Sequence, residues 1–248
     1  MTYSIVARDS QTGAIGIAVA SRFFAVGSLV PYIRHNAAFA SQAFVNPMWG
    51  IEGANRLCAG ENGETVLADF VTRDAGQAIR QAHLIDANGN CAGHTGAQCV
   101  DWAGHVAGHE VSVAGNMLTG ESVISDTLAC FQDNSSLEFI ERLLIAMEAG
   151  ELAGGDKRGR QAAALRVHQS QDYPLLDIRV DDHADPLKEL RRLHSVAQER
   201  LTHFAATFAT ADNFSGTTDR TALDKSIAER EAQRLREGLH SASSATSL

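Results

Sequence analysis

No run of eighteen apolar residues occurs anywhere in this 248-residue chain, which excludes a helix that crosses a membrane. No basic segment followed by an apolar stretch opens it, so a secretory signal peptide is not expected. Basic residues are outnumbered, 21 Lys and Arg against 30 Asp and Glu, and the resulting net charge of -9 is the wrong sign for a nucleic-acid partner. Cysteine is scarce, and Cys58, Cys91, Cys99 and Cys130 form no CxxC pair and no regular framework. They read as reduced, mostly buried thiols of a cytoplasmic protein. No GxGxxG or P-loop follows a strand, so no cofactor is expected. No internal repeat suggests a solenoid or propeller.

What is present is enough apolar material for a full core, at 44% of residues. Residues 3–9 and 14–21 read as a hairpin turning at Asp9-Ser10-Gln11-Thr12-Gly13, and the second strand is apolar on both faces, as in a sheet covered on both sides. A strand at 37–44 precedes two helices, one from Asn46-Pro47 to Gly60 and one over 62–72, with Pro47 suited to a first helical position. Residues 81–86 and 91–96 flank Asn88-Gly89, a two-residue hairpin signal. A strand at 109–114 then stops at Gly115-Asn116. Helices are expected at 120–131 and 136–149, the second with a Ser135/Glu138 capping box, a buried stripe of Leu137, Ile140, Leu144 and Met147, and Gly150 as its stop. Strands at 161–168 and 175–181 close the series. Strands, helix pair, strands, helix pair, strands is not the alternation of a parallel doubly wound sheet. It predicts an α+β fold, a four-layer αββα sandwich of two antiparallel sheets between helix pairs.

Texture changes near Asp185. Leu187, Leu190, Leu193, Val196, Ala197 and Leu201 repeat at helical spacing from Pro186. A loop at Asn213-Phe214-Ser215-Gly216-Thr217 leads to a mostly polar helix over 218–238, and residues 241–248 form a low-complexity tail expected to be disordered. The organisation predicted is a domain over 2–193, a helical extension over 194–240 and the tail. A polar helix with little core of its own suggests a homodimer in which the extension docks on the partner.

The N-terminus carries the first chemical signal. Initiator methionine is normally trimmed ahead of a side chain as small as threonine, which would leave Thr2 first with a hydroxyl and a free α-amine on one residue. That amine, with a pKa of about 8, is able to accept the hydroxyl proton at neutral pH. The plainer reading of Thr2 is a β-branched residue that starts a strand.

Thr2-Tyr3-Ser4-Ile5-Val6-Ala7-Arg8-Asp9, Gly16 to Gly27, Ser41-Gln42, Asn46-Pro47, Asp101-Trp102-Ala103-Gly104-His105, Gly115-Asn116-Met117-Leu118, Gly154 to Gln161 and Arg179-Val180-Asp181-Asp182-His183 together resemble the bacterial domain of unknown function 1028 family, described as resembling Ntn (N-terminal nucleophile) hydrolases. The resemblance covers about residues 2–193. It implies the αββα fold, and a Thr2 that ends a central strand with its hydroxyl attacking an amide carbonyl and its own amine as base. It supplies no reaction of its own.

The rest of the site is read from residue chemistry. Ser4 lies on the same face two residues on and could support the amine. Asn116, at a strand end after a glycine, is the candidate donor to the developing oxyanion, or else a turn residue. Gly154-Gly155-Asp156-Lys157-Arg158-Gly159-Arg160-Gln161 puts three basic side chains and one acid at a strand mouth, where Arg158 or Arg160 could hold a carboxylate and Asp156 could meet the Thr2 ammonium. Arg22, Gln42 and Asn46 are candidate pocket walls, and Phe23 and Phe24 are expected in the core. No metal is expected. His105 and His109 are four apart, but Gly104 and Gly108 argue against a helix there, and Asp86, Asn88 and Asn90 imitate a calcium loop in which Cys91 stands where glycine belongs. The function these readings favour is hydrolysis of a small amide, with the basic loop suited to a carboxylate-bearing one and transferase chemistry left open. The alternative is a non-catalytic binding protein for a small anion on the same fold.

Overall fold

The computed structural model describes residues 2–245. The chain divides into two compact units, Met1–Leu187 and Lys188–Leu248. The first is a mixed α+β unit built on two antiparallel sheets. Thr2–Arg8 (β1) and Ile15–Ser21 (β2) form the hairpin read from the sequence, its turn closed by the Gly13 amide donating to the Asp9 carbonyl. Gly104–Gly108 (which becomes β7) and Val111–Asn116 (β8) flank β1 on its other side, and Ala162–His168 (β9) and Pro174–Val180 (β10) extend beyond β2. The six-stranded order is β10-β9-β2-β1-β8-β7. The four-stranded sheet runs Pro31–Ile33 (β3), Ala38–Ala43 (β4), Arg80–Ile85 (β5) and Cys91–Thr95 (β6) in that order.

Helices cover the outer faces. Pro47–Cys58 (α1) and Gly63–Arg73 (α2) pack on the four-stranded sheet; Ser122–Asp133 (α3) and Phe139–Leu152 (α4) pack on the six-stranded one. One core, with Phe39, Trp49, Leu57, Phe70 and Leu84, fills the space under α1 and α2. Another, with Val6, Ile17, Val19, Ala40, Ile85 and Ala164, lies where the two sheets face each other. Asn46 caps α1 by accepting the Met48 amide (3.0 Å), with Pro47 at the first position, and Asn62 caps α2.

Three local expectations fail for identifiable reasons. The Ser135/Glu138 pair does not cap α4, which starts at Phe139 with no side-chain cap, so Leu137 precedes the helix and is 41% exposed. Gly150 does not stop that helix. It lies within it because a Cβ there would come 2.3 Å from Thr127 Oγ1 and 2.8 Å from the Tyr3 ring, and the chain turns only at Gly154 and Gly155, both with positive φ. Phe23 and Phe24 are 52% and 62% exposed rather than buried. The short strands β3 and β7 carry too few alternating residues to be read in advance.

The second unit contains most of Pro186–Ala197 (α5), then Leu201–Ala205 (α6) and Thr221–Arg236 (α7). The expected leucine stripe is therefore interrupted before Leu201. Glu199 gathers the unit's end: it pairs with Arg234 (2.9 Å) and accepts from Ser241 Oγ and the Ala242 amide (both 2.8 Å at the nearer oxygen). Ser241 and Ala242 thus hold bonds within the segment expected to be disordered; residues 246–248 lie outside the described residues. No described helix is long and apolar enough to cross a membrane.

Candidate active site at the start of β1

Thr2 opens β1, one of the two central strands of the larger sheet, and is 5% exposed. Its Oγ1 donates to Ser21 Oγ (3.2 Å) at the end of β2. Directly opposite on β8 stands Asn116, in register with Thr2. Facing residues in an antiparallel pair point to one side of the sheet with Cβ atoms about 5 Å apart. Thr2 also lines a hollow of about 260 Å³ whose other walls are Phe23, Val26, Leu29, Val30, Ala43, Phe44 and Val45. The walls are apolar apart from the one hydroxyl. Phe23 therefore borders this hollow instead of the core.

Backbone strain gathers here. Among the described non-glycine residues with positive φ are Ala25 (55°), beside Val26; Ala43 (66°), in the hollow's wall; and Met117 (60°), immediately after Asn116. Left-handed conformations cost a non-glycine residue of order 1–3 kcal/mol and persist where the surroundings over-determine them, commonly at ligand sites.

Behind Thr2 runs a buried polar chain whose direction is set by backbone carbonyls. Gln81, fully buried on β5, places Nε2 at 2.8 Å from the Gly115 carbonyl, 3.1 Å from the Gly104 carbonyl and 2.9 Å from Thr95 Oγ1. A carbonyl only accepts, so the amide nitrogen must face these oxygens. Gln81 Oε1 then accepts from both Asn116 Nδ2 (3.0 Å) and Gln42 Nε2 (2.9 Å). Gln42 Oε1 accepts the Ser4 hydroxyl (2.7 Å). With its single proton committed, Ser4 Oγ accepts from His83 Nε2 (2.7 Å), leaving His83 Nδ1 to accept from Ser112 (3.0 Å). Ser112 in turn accepts from His105 Nε2 (2.8 Å). His83 is held well below its ordinary pKa, first by burial and then by its neighbour His105, and burial lowers His105 too. Burial thus favours the neutral form of both rings, and the bond that His83 accepts at Nδ1 requires it of His83.

The basic loop assembles in part. Asp156, 6% exposed, accepts the Arg22 amide (2.7 Å) and the Arg158 amide (2.8 Å), and Arg158 Nη2 lies 3.3 Å from its carboxylate. Arg22 Nη1 donates to the Arg158 carbonyl. Arg22, Asp156 and Arg158 thus form one cluster beside Ser21, the residue that Thr2 touches. Arg160 turns away to Glu151, with Asp185 at 3.9 Å. Asn46 is also elsewhere: besides capping α1 it donates to Asp74 Oδ2 (2.9 Å) and lines a different hollow with Trp49 and Arg73. Gln42 is fully buried and supports Gln81, so it is no pocket wall. His105 belongs to the polar chain while the His109 side chain is 89% exposed, and Asp86 is occupied by the amides of Asn88 (2.9 Å) and Asn90 (3.0 Å) in its hairpin turn.

Ser21, Gln81, His83 and Ser112 were not singled out from the sequence. Their signal was present as polar residues at alternate positions of otherwise apolar strands, where period two puts Ser4 with Thr2, His83 with Gln81, and Ser112 with Asn116. Nothing in one strand shows that these faces meet.

A family model described as "Family of unknown function (DUF1028)" matches residues 2–190. The crystal structure of protein SPO2555 from Silicibacter pomeroyi, assigned to the same family, superposes with a TM-score of 0.80 at 33% identity, covering 88% of this chain and 99% of that one. No curated protein matches.

Proposed function

The chain belongs to the DUF1028 family, whose function is unknown, and from that premise we propose that it hydrolyses small amide C–N bonds on an Ntn-type αββα fold, with Thr2 as nucleophile. With Met1 attached, the Thr2 nitrogen is an amide and no base; removal of Met1 frees it. The Thr2 hydroxyl then adds to the substrate carbonyl while its proton passes to the α-amine. The tetrahedral oxyanion is met by Asn116, whose amide is held by Gln81 and retains a second N–H. Collapse of the adduct expels the amine, which takes the proton back from the Thr2 ammonium. Water then cleaves the resulting ester by the same exchange and restores Thr2.

The observation that carries this reading is the placement of Thr2: buried at the start of a central strand, opposite Asn116, and lining an apolar hollow. The lining favours a compact substrate with a small apolar group at the scissile end. A substrate carboxylate would be met by Arg22 or Arg158, which cluster with Asp156 beside Ser21, whereas Arg160 turns away from that cluster to Glu151.

The test begins with intact mass, which must show loss of Met1. Against a panel of small amides, Thr2→Ala should abolish turnover with folding unchanged, and Thr2→Ser should keep part of it. Equal hydrolysis by wild type and Thr2→Ala would refute the assignment. Ligand binding by both variants with hydrolysis by neither would identify a binding protein instead.

A further inference from the structure

We infer that His35, Cys58 and Asp172 form a site for a thiophilic divalent metal of the zinc type. The three come from separate segments: the turn between β3 and β4, the last residue of α1, and the turn between β9 and β10. His35 Nδ1 lies 3.2 Å from Asp172 Oδ1 and 3.6 Å from Cys58 Sγ, and the three ligand atoms lie within 4.8 Å of one another.

Zinc bonds of about 2.0–2.1 Å to nitrogen, 2.3 Å to sulfur and 2.0–2.2 Å to oxygen at tetrahedral angles require N···S of about 3.6 Å and N···O of about 3.3–3.4 Å. His35 Nδ1 stands at that separation from Cys58 Sγ (3.6 Å) and slightly inside it from Asp172 Oδ1 (3.2 Å), while Cys58 Sγ and the Asp172 carboxylate lie within 4.8 Å of each other. A nucleophilic Cys-His-Asp relay would engage the two ring nitrogens separately, whereas here thiol and carboxylate converge on the same one, Nδ1. An ion pair between His35 and Asp172 accounts for two of the groups and leaves the third unexplained.

The arrangement is fixed by bonds outside the ligand atoms. The His35 amide donates to Asp172 Oδ1 (2.9 Å), Asn36 Nδ2 to the Cys58 carbonyl (3.3 Å), and Arg34 Nε to Asn55 Oδ1 of α1 (2.8 Å). One thiolate, one imidazole and one carboxylate suit zinc or cobalt better than magnesium or calcium, which take oxygen ligands. His35 and Asp172 are exposed, so a water completes the shell from the solvent side. Coordination forms the metal–sulfur bond and displaces the thiol proton to the buffer. The site is separate from the Thr2 hollow: β4 begins beside His35 and ends at Ala43 in the hollow's wall, a span of about 17 Å.

Cobalt(II) titrated into the full-length protein under a thiol-free reductant should bind one-to-one, with a thiolate-to-cobalt charge-transfer absorption in the near ultraviolet that zinc abolishes by competition. Cys58→Ser should lose the absorption, and exposed His35→Ala and Asp172→Asn should each weaken binding at least roughly tenfold, the lower end of what even outer-shell changes cost at metal sites. Cys91→Ser should leave the absorption intact. No absorption in the wild type, or one that survives Cys58→Ser, would overturn the assignment.

Discussion

Replacing Gln81 by leucine keeps the side-chain volume and removes the junction of the buried polar chain. Two donors, Gln42 Nε2 and Asn116 Nδ2, lose the oxygen they share, in a region where Gln81 and Gln42 are fully buried and Asn116 is 3% exposed. Each orphaned buried donor costs about 1–3 kcal/mol, so the variant should be destabilised by about 2–6 kcal/mol. That is a large share of a typical total of about 5–15 kcal/mol. Gln81→Glu separates polarity from shape. A protonated carboxyl accepts from Gln42 and Asn116 and donates to the Gly115 carbonyl, reproducing the native pattern, while an ionised one sets an oxygen against that carbonyl. Burial raises the folded-state pKa of such a glutamate above its unfolded value of about 4.3. Its stabilising contribution is therefore complete below that value and is lost as pH rises toward the folded pKa, at up to about 1.4 kcal/mol per pH unit. Urea unfolding of wild type and both variants at pH 4.5, 6 and 7.5, at unchanged m-value, measures both effects. A loss under about 1 kcal/mol for Gln81→Leu, or a Gln81→Glu deficit that does not grow with pH relative to wild type, would refute the deduced hydrogen-bond direction.

Three further outcomes are expected. Buried His83 stays neutral in the fold, so the unfolded chain takes up its proton first as pH falls below about 6.5; stability should drop below that pH by up to about 1.4 kcal/mol per unit, and His83→Gln should flatten the slope of the urea midpoint against pH. Hydrolysis by the Met1-free protein should rise with pH along a limb near about 8, set by the Thr2 amine; a rate flat from about pH 5 to 9, with chemistry limiting, would exclude an amine base. The homodimer suggested by the C-terminal segment predicts that Leu235→Glu with Leu239→Glu, at side chains 67% and 52% exposed, weakens association in light scattering at micromolar concentration, and unchanged mass would remove these leucines from the contact.

The sequence by itself determined the elements and their order. Apolar runs and turn residues marked β1, β2, β4, β5 and β6; Pro47 and Asn88-Gly89 marked a helix start and a hairpin, because these residues act through their own backbone geometry. Order alone then excluded a parallel sheet, and the period-two rule placed Ser4 beside Thr2. What a residue meets across a sheet or between layers was decided only by the tertiary structure. Gly150 resembles a helix stop until Tyr3 and Thr127 are found where its Cβ would be. Asn46 resembles a pocket wall, yet its amide is consumed by a helix cap and Asp74. Gln42, Gln81 and His83 are isolated polar letters in two strands until the pairing of β4 with β5 and the facing of the two sheets join them into one chain behind Asn116. His35, Cys58 and Asp172 meet across 137 positions of sequence, because two turns and the end of α1 come together in the packed unit, and no local pattern encodes that coincidence.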